Sequence, residues 1–203
     1  MKIFAIGMNY ASHNKEINHS LELTEPVIFM KADSALKDGK PFFIPDFSSE
    51  VHYETEIVIK ISRLGKNIAE PFAHRYYDEA TVGIDFTARD LQTHLRRQRL
   101  PWELCKAFDN SAAIGKFLPL ASLGNVNRLP FHLEINGQTV QQGNTQNMIF
   151  SVDQIIAYVS RFFTLKIGDL IFTGTPEGVG PVKIGDRLQG FLGNQVLLDF
   201  FVR

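Results

Sequence analysis

Glu54 and Glu56, two positions apart, have a type and spacing that suggest chemistry. On an extended strand, side chains two apart leave the same face, so both carboxylates can reach a single ion between them. Hard oxygen donors of this kind suit Mg2+ or Ca2+. Alternate acidic residues often only decorate a solvent-facing strand, so the reading needs a third group. Asp85 supplies it, standing in Thr81-Val82-Gly83-Ile84-Asp85-Phe86, an apolar run in which an unpaired carboxylate is costly to bury and calls for a cation. Three carboxylates leave positions of an octahedral shell open for water and substrate, as a catalytic metal site requires.

His13 and Glu16 are three apart, close to one helical turn, so the carboxylate can orient the imidazole. A surface pair with no shared role has the same spacing. Thr173-Gly174-Thr175-Pro176-Glu177-Gly178-Val179-Gly180 is a turn whose glycines let backbone amides approach a ligand, and Thr175 offers both an amide and a hydroxyl. The turn lacks the Gly-Lys-Ser/Thr ending of a phosphate loop, and no clear helix pattern follows, which argues against a nucleotide site. Cys105, beside Leu104 and close to Ala107, reads as a packed thiol rather than a nucleophile.

Composition narrows the partners. The chain has 203 residues, 44% of them hydrophobic, enough to bury one substantial core, and a single domain over residues 1–203 is expected. A formal net charge of -1 supplies no basic field for nucleic acid or an anionic membrane, which leaves a small ligand as the better partner. The one cysteine permits no internal disulfide and fits a reducing cytosol. With no secretory pattern near Met1 and no apolar stretch of about 20 residues, a cytoplasmic, non-membrane protein is expected.

The elements that must position these groups are mostly strands. Frequent Gly and Pro between alternating segments predict a β-rich α+β fold. Val51 to Ile61 alternates as one strand with a buried side, carrying Glu54 and Glu56 on the face opposite Tyr53 and Ile57. Phe131 to Val140 reads as a hairpin turning at Asn136-Gly137. Leu165 to Thr173, Asp186 to Leu192 and Gln195 to Val202 are further strands. Thr87 is positioned to cap a helix through Arg89, Leu91, Gln92 and Leu95, with Asp90 completing an acidic variant of the capping box. Ser151 and Gln154 form a capping box for a second helix, with Phe150 and Ile155 as its staple and Ile156, Val159 and Phe163 on its apolar face. A third helix, Ser12 to Ile17, is too short to be stable alone and could order on ligand binding. Phe162, Phe163, Phe200 and Phe201 belong to a core or an interface; periodicity does not separate the two.

Five segments in order resemble the fumarylacetoacetate hydrolase family: Asn9 to Glu16, His52 to Glu56, Asp85 to Gln92, Lys106 to Asp109 and Thr173 to Gly180. The similarity runs from near residue 5 to the C-terminus and is strongest to the short branch of acylpyruvate hydrolases and oxaloacetate decarboxylases. It implies a mixed β-roll or β-sandwich with a few short helices, usually dimeric. It also implies that Glu54, Glu56 and Asp85 bind Mg2+, with Mn2+ or Ca2+ as alternatives. Arg89 and Gln92 match positions facing the substrate, and three apart on a helix they share a face. Lys106 matches a lysine beside the metal, and Lys31 resembles a second, although the usual proline after it is Ala32 here. The loop holding Gly174 and Thr175 is expected to bind the substrate carboxylate, and His13 with Glu16 matches a dyad on a lid at about residues 9–20.

These roles imply a small-molecule 2-oxo acid substrate that chelates the metal through its carboxylate and 2-oxo oxygens. Breaking its C3–C4 bond gives pyruvate enolate, by water attack in an acylpyruvate or by loss of CO2 from oxaloacetate. Moving only a proton gives a tautomerase or a 2-hydroxyhepta-2,4-diene-1,7-dioate isomerase type. A non-catalytic protein binding a metal or small acid is the reading from another class, and a purely structural role leaves Asp85 without a reason.

Overall fold

The computed structural model describes residues 1–16, 23–37 and 39–203. Residues 17–20 of the expected lid, including Ile17, lie outside the described residues. The fold is β-rich α+β, as expected. One eight-stranded sheet runs from edge to edge as β2 (Val27–Lys31), β1 (Ile3–Gly7), β12 (Leu170–Phe172), β5 (Thr55–Ile61), β6 (Tyr77–Asp85), β8 (Ala112–Ile114) and β3 (Leu36–Lys37), with β9 (Leu118–Pro119) paired to β6. It is mixed: β1 is parallel to β12 and β3 to β8, whereas β5 is antiparallel to both neighbours. A four-stranded antiparallel sheet, β11 (Gln138–Asn144), β10 (Pro130–Ile135), β14 (Arg187–Leu192) and β15 (Gln195–Phe201), packs on β5 and β6. A small third sheet joins β13 (Gly180–Pro181), β4 (Val51–Tyr53) and β7 (Thr87–Ala88).

The described helices are short. They are α1 (Ala11–Glu16), α2 (Arg89–Gln98), α3 (Glu103–Lys106), α4 (Leu120–Leu123) and α5 (Val152–Phe162), together with three single-turn or two-turn 3-10 segments. None is long and apolar enough to cross a membrane.

Several local expectations hold. Asn136 and Gly137, with φ of 53° and 80°, make the tight turn between β10 and β11. Ser151 and Gln154 form the reciprocal capping box of α5, with Ile155, Ile156 and Val159 buried beneath it. The phenylalanines divide: Phe200 is buried and Phe163 packs on the core, while Phe162 and Phe201 are exposed.

Other expectations are corrected by long-range pairing. The strand over residues 51–61 breaks at Glu54, because β4 pairs with β13 and β7 while β5 pairs with β12 and β6. Both faces of β5 are buried rather than one. Ile57 and Ile59 join the core against the second sheet, and Val58 packs with Ile3, Leu170 and Phe172 on the other side. Thr87 does not cap α2: it lies in β7, Ala88 holds the N-cap position without a side-chain bond, and Asp90 instead accepts from Ser48 and Ser49. Of Leu165 to Thr173 only Leu170–Phe172 is a strand, since Lys166 to Asp169 turns, closed by the Asp169 carboxylate on the Lys166 N–H at 2.8 Å.

Candidate active site

The break between β4 and β5 gathers the carboxylates. In the β5–β6 ladder Thr55 pairs with Ile84 and Glu56 with Gly83, so Asp85 ends β6 beside Glu54, whose carbonyl accepts the Asp85 N–H at 2.8 Å. Gly83 is required there: a Cβ would meet Val58, the Ala113 carbonyl and Phe172 at 2.7–2.8 Å. Ligand atoms of the buried Glu54, Glu56 and Asp85 lie within 4.8 Å of one another. Opposite oxygens around one divalent ion stand about 4–5 Å apart, so the three donors fit a single ion.

Two buried lysines cross this floor. Lys106, at the end of α3, donates to Glu54 Oε2 at 2.8 Å, Asp85 Oδ2 at 2.7 Å and Thr87 Oγ1 at 2.6 Å, which uses all three of its N–H groups. Lys31, at the end of β2, donates to Asp85 Oδ1 and, at 3.0 Å, to the Phe86 carbonyl. Burial alone would lower Lys106, but Asp85 and Glu54 outweigh it and raise its pKa. At Lys31 burial prevails over Asp85 and lowers it. Glu54 follows the same logic: burial pushes it up, yet Lys106 and Arg89 hold it well below the usual carboxylate range. Glu56 differs. It accepts the Gly174 N–H at 2.6 Å but, among the described residues, forms no ion pair, and burial together with the neighbouring Asp85 raises its pKa well above normal.

Arg89 and Gln92 do share a face of α2, but they also bond to each other: Nη1 of Arg89 donates to Gln92 Oε1 at 2.6 Å, and Nη2 to Glu54 Oε1 at 2.7 Å. In the 173–180 loop, Gly174 has φ of 105° and sits where a Cβ would lie 2.6 Å from Asn9 Cβ, a place only glycine fills without strain. The Thr175 hydroxyl is committed, donating to the Thr55 carbonyl at 2.9 Å and accepting from Gln141 Nε2 at 2.6 Å. The donor Thr175 has left is its amide. On the opposite wall, Glu16 Oε2 accepts from His13 Nδ1 at 3.0 Å, an arrangement that in the neutral imidazole puts the lone pair on Nε2, and Glu16 Oε1 accepts the Gly178 N–H at 3.0 Å. Glu16 therefore ties α1 to the loop.

These groups surround a cavity of about 150 Å³, lined by His13, Glu54, Glu56, Arg89, Gln92, Lys106 and Thr175. A model of the fumarylacetoacetate (FAA) hydrolase C-terminal region matches residues 2–197. The chain belongs to the fumarylacetoacetate hydrolase family. The Mus musculus relative named oxaloacetate tautomerase FAHD1, mitochondrial, is 38% identical over 202 residues, 99% of this chain and 91% of the relative. The Dictyostelium discoideum oxaloacetate decarboxylase, mitochondrial, is 40% identical over 202 residues, 98% of this chain and 92% of its own. The crystal structure of fumarylpyruvate hydrolase from Pseudomonas aeruginosa, in complex with Mn2+ and pyruvate, matches with a TM-score of 0.93 at 36% identity, covering 100% of this chain and 89% of that one.

For this family member, Asp85, Lys31, Gly174 and Glu16 support lining residues and do not line the cavity themselves. Sequence reasoning did not single out Ile6, Gly7, Met8, Phe29, Arg96 and Trp102, which do. Arg96 was findable, since it continues the face of Arg89 and Gln92 by one turn. Ile6 to Met8 and Phe29 arrive from β1 and β2 and carry no local signal. Gln141 was equally silent, although it accepts the Thr55 N–H at 2.9 Å and donates to Thr175 and the Pro176 carbonyl. Asn9, known only as part of a motif, clamps Phe150 and Thr173 through its buried side chain. Cys105 is a buried thiol against the Trp102 carbonyl, and burial pushes its pKa up.

Proposed function

We propose that this enzyme, with Mg2+ held by Glu54, Glu56 and Asp85, breaks the C3–C4 bond of a short 2-oxo acid, hydrolysing an acylpyruvate or decarboxylating oxaloacetate. Mn2+ or Ca2+ are the alternatives for the metal. The observation that carries the reading is the buried triad beside the cavity, in which Glu56 forms no ion pair among the described residues. A divalent ion there would supply Lewis-acid polarisation of the 2-oxo oxygen.

The residues of the chain do the rest. The Thr175 amide and Arg89 bind the carboxylate end, and Gln92 holds Arg89 in place. Lys106, its protons already engaged, contributes positive field where negative charge develops on the 2-oxo oxygen rather than a new hydrogen bond. His13 Nε2 takes a proton from a water attacking C4, Glu16 steadying the imidazolium; C4 leaves as a carboxylic acid, the C3–C4 electron pair becomes the C2=C3 bond of the enolate with the negative charge on the 2-oxo oxygen, and return of the imidazolium proton to C3 releases pyruvate. With a carboxylate at C4, CO2 leaves and no attacking water is needed.

A second reading, transfer of a proton between C3 and the 2-oxo oxygen, is favoured by the relative named oxaloacetate tautomerase. The same groups serve it, with His13 as the proton carrier. Following acetylpyruvate and oxaloacetate by ultraviolet absorbance while quantifying pyruvate, in Mg2+ and in EDTA, separates them. Chelator-sensitive pyruvate supports C–C cleavage. Absorbance change without pyruvate supports tautomerisation, and silence on both supports a binding protein. The family-typical homodimer belongs to the same proposal and is read by light scattering.

A further inference from the structure

Of the segment Asn9 to Glu16 the proposed chemistry uses only His13 and Glu16, yet the turn leading into it holds a backbone conformation that needs a reason. Met8 has φ of 61°, in the left-handed region. A Cβ makes that region costly for an L-residue, and a long apolar side chain has no local hydrogen bond to offset the cost. The other described non-glycine residues with positive φ have local reasons. Asn67, Asn110 and Asn136 carry the side chain that tolerates it best, and Arg99 is the C-cap of α2. Met8 has neither reason, and it lines the cavity. Strain of this kind persists only where the surroundings impose it.

Met8 is fixed from three directions. Before it, Gly7 closes β1, paired to Val27 of β2. After it, Asn9 is clamped through its side chain to Phe150 and Thr173. The third tie comes from α1, where Nδ2 of the buried Asn14 donates to the Met8 carbonyl at 2.9 Å. Asn14 Oδ1 accepts nothing among the described residues, so that one bond is what the side chain contributes. Neighbours on a helix point about 100° apart. Asn14 thus turns to the Met8 carbonyl while His13, one residue before it, lines the cavity. A six-residue helix is not held by its own propensity. The side-chain bonds of Asn14 to Met8 and of Glu16 to Gly178 therefore set where the imidazole stands.

We infer that Asn14 is a positioning residue: by holding the Met8 carbonyl in its left-handed turn, it fixes His13 at the cavity. Without the bond, Met8 relaxes toward an ordinary φ and carries α1 with it. The fraction of molecules with His13 in place falls, and the floor of Glu54, Glu56 and Asp85 is left as it was. The inference rests on the proposed role of His13 as proton carrier.

The test compares wild type with Asn14→Ala and with the near-isosteric Asn14→Asp, which replaces the donor by an acceptor, and uses His13→Ala as the reference. Acetylpyruvate hydrolysis and oxaloacetate decarboxylation are followed in Mg2+, and the His13 ring resonance is recorded by NMR of histidine-labelled protein. Both Asn14 variants are expected to lower kcat for hydrolysis about tenfold, the scale of one net hydrogen bond, with KM and decarboxylation within about twofold. The His13 resonance should shift or broaden. Met8→Asn, whose side chain tolerates the left-handed turn, should shrink the loss caused by Asn14→Ala to about threefold or less. An unmoved His13 resonance overturns the inference. So do equal losses in the two reactions, which make Asn14 a general support of the fold, and an undiminished loss in the Met8→Asn background, which removes the strain from the account. A defect in His13→Ala without one in the Asn14 variants overturns the inference alone. If His13→Ala acts on acetylpyruvate as wild type does, the proposed role of His13 falls and the inference with it.

Discussion

On the carboxylate side of the cavity, Glu54, Asp85, Lys31 and Lys106 are buried and bonded from strand to strand. On the His13 side, α1 is held to the 173–180 loop through Glu16 and one amide of Gly178. The first region is rigid because none of its charges can be exposed or left alone without a desolvation penalty. The second is a six-residue helix that local propensity cannot hold by itself. A fixed electrostatic floor therefore faces the proposed proton-transfer wall, which depends on a few bonds, and substitutions on the two sides should fail differently.

The largest expected effect is Asp85→Ala, which leaves Lys31 and Lys106 each short of a buried partner. It should cost about 3–5 kcal/mol in denaturant unfolding as well as all metal-dependent turnover. A small stability change would show that the lysines do not need Asp85. Glu56→Gln sharpens the contrast within the same floor: metal-dependent activity should drop at least about a hundredfold, yet the metal-free melting temperature should not fall, because the carboxylate removed forms no ion pair among the described residues. Retained activity would sink its assignment as a ligand.

Acidity separates Glu56 further. Because its folded pKa is raised, the metal-free folded chain keeps a proton that the unfolded chain has lost above about pH 4.5, so stability should fall as pH rises from there toward the raised value. The pKa of Glu54 is lowered, so its contribution is complete in that range and does not mask the slope. Denaturation at several pH values should show the decline, its reversal by Mg2+ or Mn2+, and its absence in Glu56→Gln.

On the other wall, His13→Ala should slow acylpyruvate hydrolysis about a hundredfold while barely touching stability, and should affect oxaloacetate decarboxylation much less. Equal losses in the two reactions would remove the water-activating role. The smallest effect is expected from Gln141→Ala, which frees the Thr175 hydroxyl and loosens the loop. KM should rise about tenfold with kcat nearly kept.

Legibility in the sequence followed the range of the interactions. The Asn136-Gly137 turn and the Ser151–Gln154 box were readable because a few neighbouring residues close their own hydrogen bonds. Asp85 was suspect from the polarity of its own segment. The split of residues 51–61 at Glu54 was not readable, since alternation is the same whichever sheet a strand joins. Thr87 looked like a cap for the same reason: a hydroxyl before a helical pattern gives no notice that a carboxylate 33 positions earlier will take its proton. Phe29 and Gln141 carry no sign of a site, and Asn9 none beyond its motif, because their partners lie on other strands and loops.

By itself, then, the sequence determined which chemical groups this protein possesses, its β-rich character and, through ordered motifs, its family. The tertiary structure decided which groups meet: that Lys31 and Lys106 both close on Asp85, that the Thr175 hydroxyl is committed, that Glu56 forms no ion pair among the described residues, and that Arg96 lines the same cavity. Propensities and capping act over about one turn of chain, whereas burial and ion pairing depend on distances that exist only after strands from opposite ends of the chain have paired.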